Sequence, residues 1–130
     1  MKILLTGATG FIGSHIATAL RQKGHTVVSV SRRRGGDFSR MTTAAHWFPY
    51  LHDTDAVINC VGIIGETSSQ RFATLHTQAP IALFQASVTS GVRRVIQISA
   101  LGADESAFSA YHLSKRAADD YLRGLDVDWF

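Results

Sequence analysis

The chain has 130 residues, 45% of them hydrophobic and 18% charged, with a formal net charge of +3. That makes one domain spanning residues 1–130 with a real core, and it excludes disordered and collagen-like chains and a basic nucleic-acid-binding face. A single cysteine, Cys60, rules out an intramolecular disulfide, and no apolar run is long enough to span a membrane, so the expected location is the cytoplasm.

The first element is a short apolar run, Ile3 to Leu5, which leads directly into Gly7, Gly10 and Gly13. Such a run reads as a buried parallel strand, and the three glycines open a segment with helical periodicity. Gly7 suits the tight turn out of the strand. Gly10 leaves room for a pyrophosphate, and Gly13 lets the helix sit close to the sheet. Free N–H groups at the start of that helix, with the positive end of its dipole, complete an anion site. Phe11 to Lys23 is the amphipathic helix, with Phe11, Ile12, Ile16, Ala19 and Leu20 expected on the packed face and Gly24 after its end.

Thr26 to Val30 reads as the second strand. At the end of that strand, arginine accommodates the 2′-phosphate of NADP, whereas an acidic residue binds the 2′-hydroxyl of NAD. The chain offers Ser31, Arg32, Arg33 and Arg34 there, with no acid before Asp37, which predicts NADP(H) over NAD(H). The alternative is a solvated basic turn. From Gly35 to Tyr50 the apolar run of a third strand is almost absent. The third strand is therefore expected to be short or missing, followed by a loop or short helix whose Trp47, Phe48 and Tyr50 cover the sheet.

Asp55 to Val61 is a strong strand, and Cys60, Val61 and Gly62 turn beneath the same site. Cys60 reads as a small buried hydrophobe, because no adjoining basic residue lowers its pKa. Gly65 to Ser69 is a polar loop. Gln70 to Ser90 reads as a long helix, with a kink at Pro80 or a start near Thr77. Val92 to Ser99 is a further strand, Tyr111 to Arg123 the last helix, and Val127 to Phe130 the opening of a sixth strand. The alternation predicts an α/β, three-layer, doubly wound parallel sheet with right-handed crossovers and strand order 3-2-1-4-5, the final segment lying beside strand five.

T-G-A-T-G-F-I-G at Thr6–Gly13, D-A-V-I-N-C-V-G-I-I-G at Asp55–Gly65, V-R-R-V-I-Q-I-S-A-L-G-A-D at Val92–Asp104 and Y-H-L-S-K at Tyr111–Lys115 resemble the extended and atypical short-chain dehydrogenase/reductases. That group includes nucleotide-sugar epimerases and dehydratases and relatives of an accessory subunit of respiratory complex I. The resemblance implies a Rossmann domain in which Gly7, Ala8, Thr9, Gly10, Phe11, Ile12 and Gly13 hold the nucleotide and Asp37 and Phe38 border the adenine. It also implies that Tyr111 exchanges a proton with substrate while Lys115 holds the nicotinamide ribose. The two residues are one helical turn apart, and a neighbouring ammonium eases proton exchange by a phenol.

Ser99 is the third catalytic candidate. In the extended members the hydroxyl residue is the second of a pair, and here the pair reads Ser99-Ala100, which fits the atypical branch better. Six histidines show no metal-ligand spacing, so no metal is expected; His76 falls where relatives carry an asparagine facing the active site. Members of the group run well beyond this length, and their C-terminal part builds the substrate pocket. The resemblance thus implies a chain that binds the cofactor without the part that binds an unknown small-molecule substrate. Uncovered apolar faces predict self-association into a homo-oligomer. The other reading, an accessory module that binds a nucleotide without turnover, is favoured by Ala100.

Overall fold

Parallel strands need a crossover, and short apolar runs separated by helices supply one between each pair. The computed structural model describes residues 1–130, the side chain of Arg34 excepted. Its strands are β1 (Lys2–Thr6), β2 (Thr26–Val30), β3 (Ala56–Asn59), β4 (Arg94–Gln97) and β5 (Asp128–Trp129), all parallel, in the order β2-β1-β3-β4-β5. This is the expected Rossmann arrangement with its third strand absent. The strands β3, β4 and β5 take the fourth, fifth and sixth places, and the final segment lies beside β4.

Side chains alternate across the sheet and divide the core in two. Leu4, Val57 and Val95 pack with α2 (Ala44–Trp47), α3 (Ala79–Thr89) and α4 (Ala110–Arg123), while Ile3, Leu5, Ala56 and Ile58 pack with α1 (Phe11–Gln22). The packed stripe of α1 is Gly13, Ile16, Ala17 and Leu20, at helical spacing, and Phe11, Ile12 and Ala19 are exposed instead of packed. Gly13 lies against the Gly7–Ala8 backbone with no room for a Cβ, and Phe11 and Ile12 fall on the exposed side of the helix.

An aromatic plug replaces the missing strand. After β2 the backbone makes 3-10 turns at Arg32–Arg34 and Phe38–Arg40, then the short α2 and a third turn at Phe48–Tyr50. Trp47 is fully buried, donates from Nε1 to the Met41 carbonyl at 3.0 Å, and meets the Phe38 ring edge-on at 5.1 Å. Tyr50 packs beside it, but Phe48 is 42% exposed, contrary to expectation. Successive helical side chains diverge by about 100°, so an inward Trp47 turns its neighbour outward.

The expected helix from Gln70 to Ser90 begins at Phe72 and is π-helical over Ala73–Gln78 before α3 begins at Ala79. Pro80 has no N–H for the carbonyl one turn earlier, so the irregularity falls just before it. Ser109 caps α4, its hydroxyl accepting from the His112 N–H at 3.1 Å. Among the described residues no helix is long and apolar enough to cross a membrane.

Candidate functional site

The glycine turn is shaped first by the protein itself. Gly7 adopts φ +69°, and a Cβ there would lie 2.8 Å from the Cys60 carbonyl carbon. A Cβ on Gly13 would lie 2.1 Å from the Gly7 oxygen. Around Gly10 the nearest such atom is that same oxygen at 3.4 Å, so the space there opens into a cleft. No side chain caps the N-terminus of α1, which leaves its first N–H groups available to a ligand.

Two adjoining cavities, of about 340 and 370 Å³, form this cleft at the C-terminal ends of β1, β2 and β3. They share Gly10, Cys60, Val61, Gly62 and Ile63. The first adds Gly7, Thr9, Ser31, Arg32, Asp37 and Phe38; the second adds Phe11, Ile12, Gly13, Ser99, Tyr111 and Lys115. Two residues expected at the site lie outside its lining. Ala8 packs against the core on the α1 side, and Arg33 is exposed. Sequence reasoning missed Gly36, Ser39, Ser69, Gln70 and Ile98, which also line it. Of these, Gly36 and Ser39 flank the Asp37–Phe38 pair and Ser69 ends the polar Gly65–Ser69 loop, whereas Gln70 and Ile98 carried no signal.

Asp37 is held by its own turn. One carboxylate oxygen accepts from the Ser39 N–H at 3.0 Å and the Ser39 hydroxyl at 2.7 Å, and the hydroxyl bond foremost keeps the carboxyl below its usual range.

Tyr111 and Lys115 stand one turn apart on α4 and face the second cavity. Lys115 is buried, and its Nζ donates to the Ile98 carbonyl at 2.7 Å. Burial lowers its pKa, opposed by the charge of Asp119. Burial also pushes the Cys60 thiol up to about 11, which disfavours the thiolate a nucleophile needs.

His76 was singled out by position alone, and the structure gives it partners. Its Nε2 accepts from the Ile63 N–H at 3.0 Å, and its Nδ1 lies 2.9 Å from the Ser114 hydroxyl, which itself donates to the Tyr111 carbonyl at 2.8 Å. That order of donors assigns a neutral imidazole with its proton on Nδ1. The ring stacks on Phe72 at 5.2 Å and meets Tyr111 edge-on at 5.4 Å. The cleft loop and the Tyr111 helix are thereby joined through one buried side chain.

Beneath the cleft the in-register residues Thr6, Asn59 and Gln97 form a polar row. Thr6 donates to Asn59 Oδ1 at 2.5 Å, and Asn59 Nδ2 donates to Gln97 Oε1 at 2.7 Å. Past the end of β4, the Ser99 hydroxyl donates to a carboxylate oxygen of Asp119, a residue with no sequence signal beyond standing four places after Lys115.

The fold recurs in known proteins. The model of the NAD dependent epimerase/dehydratase family matches residues 3–127. The ceramide reductase of Caulobacter vibrioides is 30% identical over 135 residues, covering 95% of this chain and 42% of that protein. Among solved structures, the oxidoreductase ylbE from Lactococcus lactis superposes with a TM-score of 0.83 at 22% identity, covering 99% of this chain and 66% of that one. The Bordetella bronchiseptica enzyme WbmG in complex with NAD superposes with a TM-score of 0.79 at 19% identity, covering 99% and 51%. The chain spans 32–46% of the length of the first curated relatives it matches. With the family model running from β1 to the residue before β5, the chain belongs to the NAD dependent epimerase/dehydratase family.

Proposed function

We propose that this chain binds a dinucleotide, NADP(H) in preference to NAD(H), as the nucleotide-binding domain of an oxidoreductase, epimerase or dehydratase. The observation that carries this reading is the continuity of the cleft from the glycine turn to the Tyr111–Lys115 pair. Its parts fit such a ligand: an uncapped helix N-terminus with open space at Gly10, and a guanidinium and a carboxylate at the far end. A bound nicotinamide would supply hydride transfer. The chain's own residues do the rest. The N–H groups of α1 and the turn at Gly7–Gly13 take the diphosphate, and Cys60–Gly62 support it from below. Asp37 and Phe38 border the adenine, and Arg32 with Ser31 offers donors to a 2′-phosphate. Arg33 stands outside the lining, so Arg32 carries the preference. Tyr111 exchanges a proton with a small-molecule substrate, and Lys115 orients the ribose. Ser99 serves in this reading through Asp119, because its one proton is already donated there.

Fluorescence titration with NADPH and NADH tests this. NADPH should bind at least tenfold more tightly, about 1.4 kcal/mol, and the Arg32→Ala variant should lose that margin while Arg33→Ala keeps it. Equal affinities in the unaltered protein would remove NADP(H) as the preferred cofactor. A second reading, a nucleotide-binding module without turnover, draws on Ala100, which puts a methyl where a polarising hydroxyl is expected, and on the committed proton of Ser99.

A further inference from the structure

Two rows of hydrogen bonds end beside each other between β4 and α4. In the first, Asn59 Oδ1 accepts from the Val61 N–H at 3.3 Å and from the Thr6 hydroxyl at 2.5 Å, so the other end of that amide is its NH2 group. Asn59 Nδ2 donates to Gln97 Oε1 at 2.7 Å, which puts Gln97 Nε2 at the end of the row. In the second, the Ser99 hydroxyl donates to Asp119 Oδ2. Gln97 Nε2 and Asp119 Oδ1 are buried, and neither has a hydrogen-bond partner among the described residues.

The two atoms are of opposite kind, a donor and an acceptor. Gln97 and Asp119 are each 9% exposed, and both line a recess of about 110 Å³ with Leu122, Arg123, Trp129 and Phe130. A buried polar atom left unpaired costs stability, so the pair calls for an occupant that accepts from the amide and donates to the carboxylate. Arg123 does not meet that need. A guanidinium carries donors only, so it could serve Asp119 but not Gln97. Its Nη1 already donates to Asp120 Oδ1 at 2.8 Å, and the side chain is more than half exposed. Water meets both needs, takes about 30 Å³, and is held in such places by two to four polar partners.

We propose that this recess is a buried water site, in which the water accepts from Gln97 Nε2 and donates to Asp119 Oδ1. The water joins the two rows into one. That row runs from Val61, which lines both cavities, through Asn59, Gln97 and Asp119 to Ser99, which lines the second. The direction of the Ser99 hydroxyl is thereby set from the sheet as well as from α4.

Water–protein NOE and ROE spectra of the ligand-free, 15N-labelled full chain test it, read at the Gln97 side-chain amide protons. A held water gives those protons cross peaks at the water line, with opposite signs in the two spectra. No cross peak, or peaks of one sign in both, as exchange with bulk water produces, overturns the proposal. The cross peaks should persist in Arg123→Ala and in Ser99→Ala. Loss in Arg123→Ala places the guanidinium in the recess, and loss in Ser99→Ala traces the signal to that hydroxyl; either overturns the water site. In Asp119→Leu, which removes the acceptor, the cross peaks should vanish, and their persistence in the folded variant overturns the bridge. If Asp119→Leu does not fold, as judged by circular dichroism, the other three spectra decide. Because no nucleotide is present, failure here leaves cofactor binding untouched, and failure of cofactor binding leaves this result standing.

Discussion

His76 shows how much one side chain can join. Its two nitrogens tie the loop at Ile63, under the cleft, to Ser114 and the Tyr111 backbone on α4. Burial, assisted by the Lys115 charge, pushes it from 6.5 down to about 4. The sign of the consequence follows. Between those two values the unfolded chain binds a proton that the folded chain refuses, so stability rises with pH through that window and is lost as pH falls from about 6.5 toward 4. The difference amounts to something on the order of 3 kcal/mol. Glutamine offers one acceptor and one donor without titrating. Urea unfolding of His76→Gln should therefore give a flatter stability profile over that range than the unaltered protein. Parallel profiles would show that His76 is protonated as easily folded as unfolded.

Between β2 and β3 the fold departs furthest from a regular alternation, and the element that replaces the third strand is small enough to test. Trp47 fills the space beside Phe38 and Tyr50 and anchors the Met41 carbonyl. Replacing it with alanine should cost about 3–5 kcal/mol and release the Asp37–Met41 turn that borders the first cavity. Calorimetric unfolding measures the loss, and a cost under about 1 kcal/mol would mean that the plug does not support the sheet. This stretch was the least legible in the sequence because strand periodicity was absent and a single tryptophan has no period to read. β1, β2 and the parallel order were legible because continuous apolar runs leave no other placement. The glycines and the Tyr111–Lys115 spacing located most of the cleft in the same way. Asp119, Gln97 and the hydrogen bonds of His76 were not legible: their roles depend on pairings 13 to 38 residues apart, which only the folded sheet brings together. The exposed side of α1 was misread because Gly13, pressed against the Gly7–Ala8 backbone, belongs to the packed stripe although it has no apolar side chain to show it.

Across the molecule, several large apolar side chains face water, and Phe11, Ile12 and Ile64 among them line the second cavity. Phe11 is 83% exposed, Ile64 93%, Leu101 100% and Phe108 89%, with Ile12 and Leu113 about half exposed. So many large apolar side chains in water favour contact with another surface. Sedimentation velocity should show self-association that weakens when Leu101 and Phe108 are both changed to serine. A clean monomer at high concentration would contradict that expectation.

In the proposed reading, the cleft between the glycine turn and α4 receives a dinucleotide. Backbone amide NMR shifts on addition of NADPH address it most directly, since each residue reports for itself. The largest shifts should fall at Thr9 to Gly13, Arg32, Asp37 and Cys60 to Ile63, with Tyr111 and Lys115 following. No shifts at saturating nucleotide, or shifts confined to another face, would contradict it.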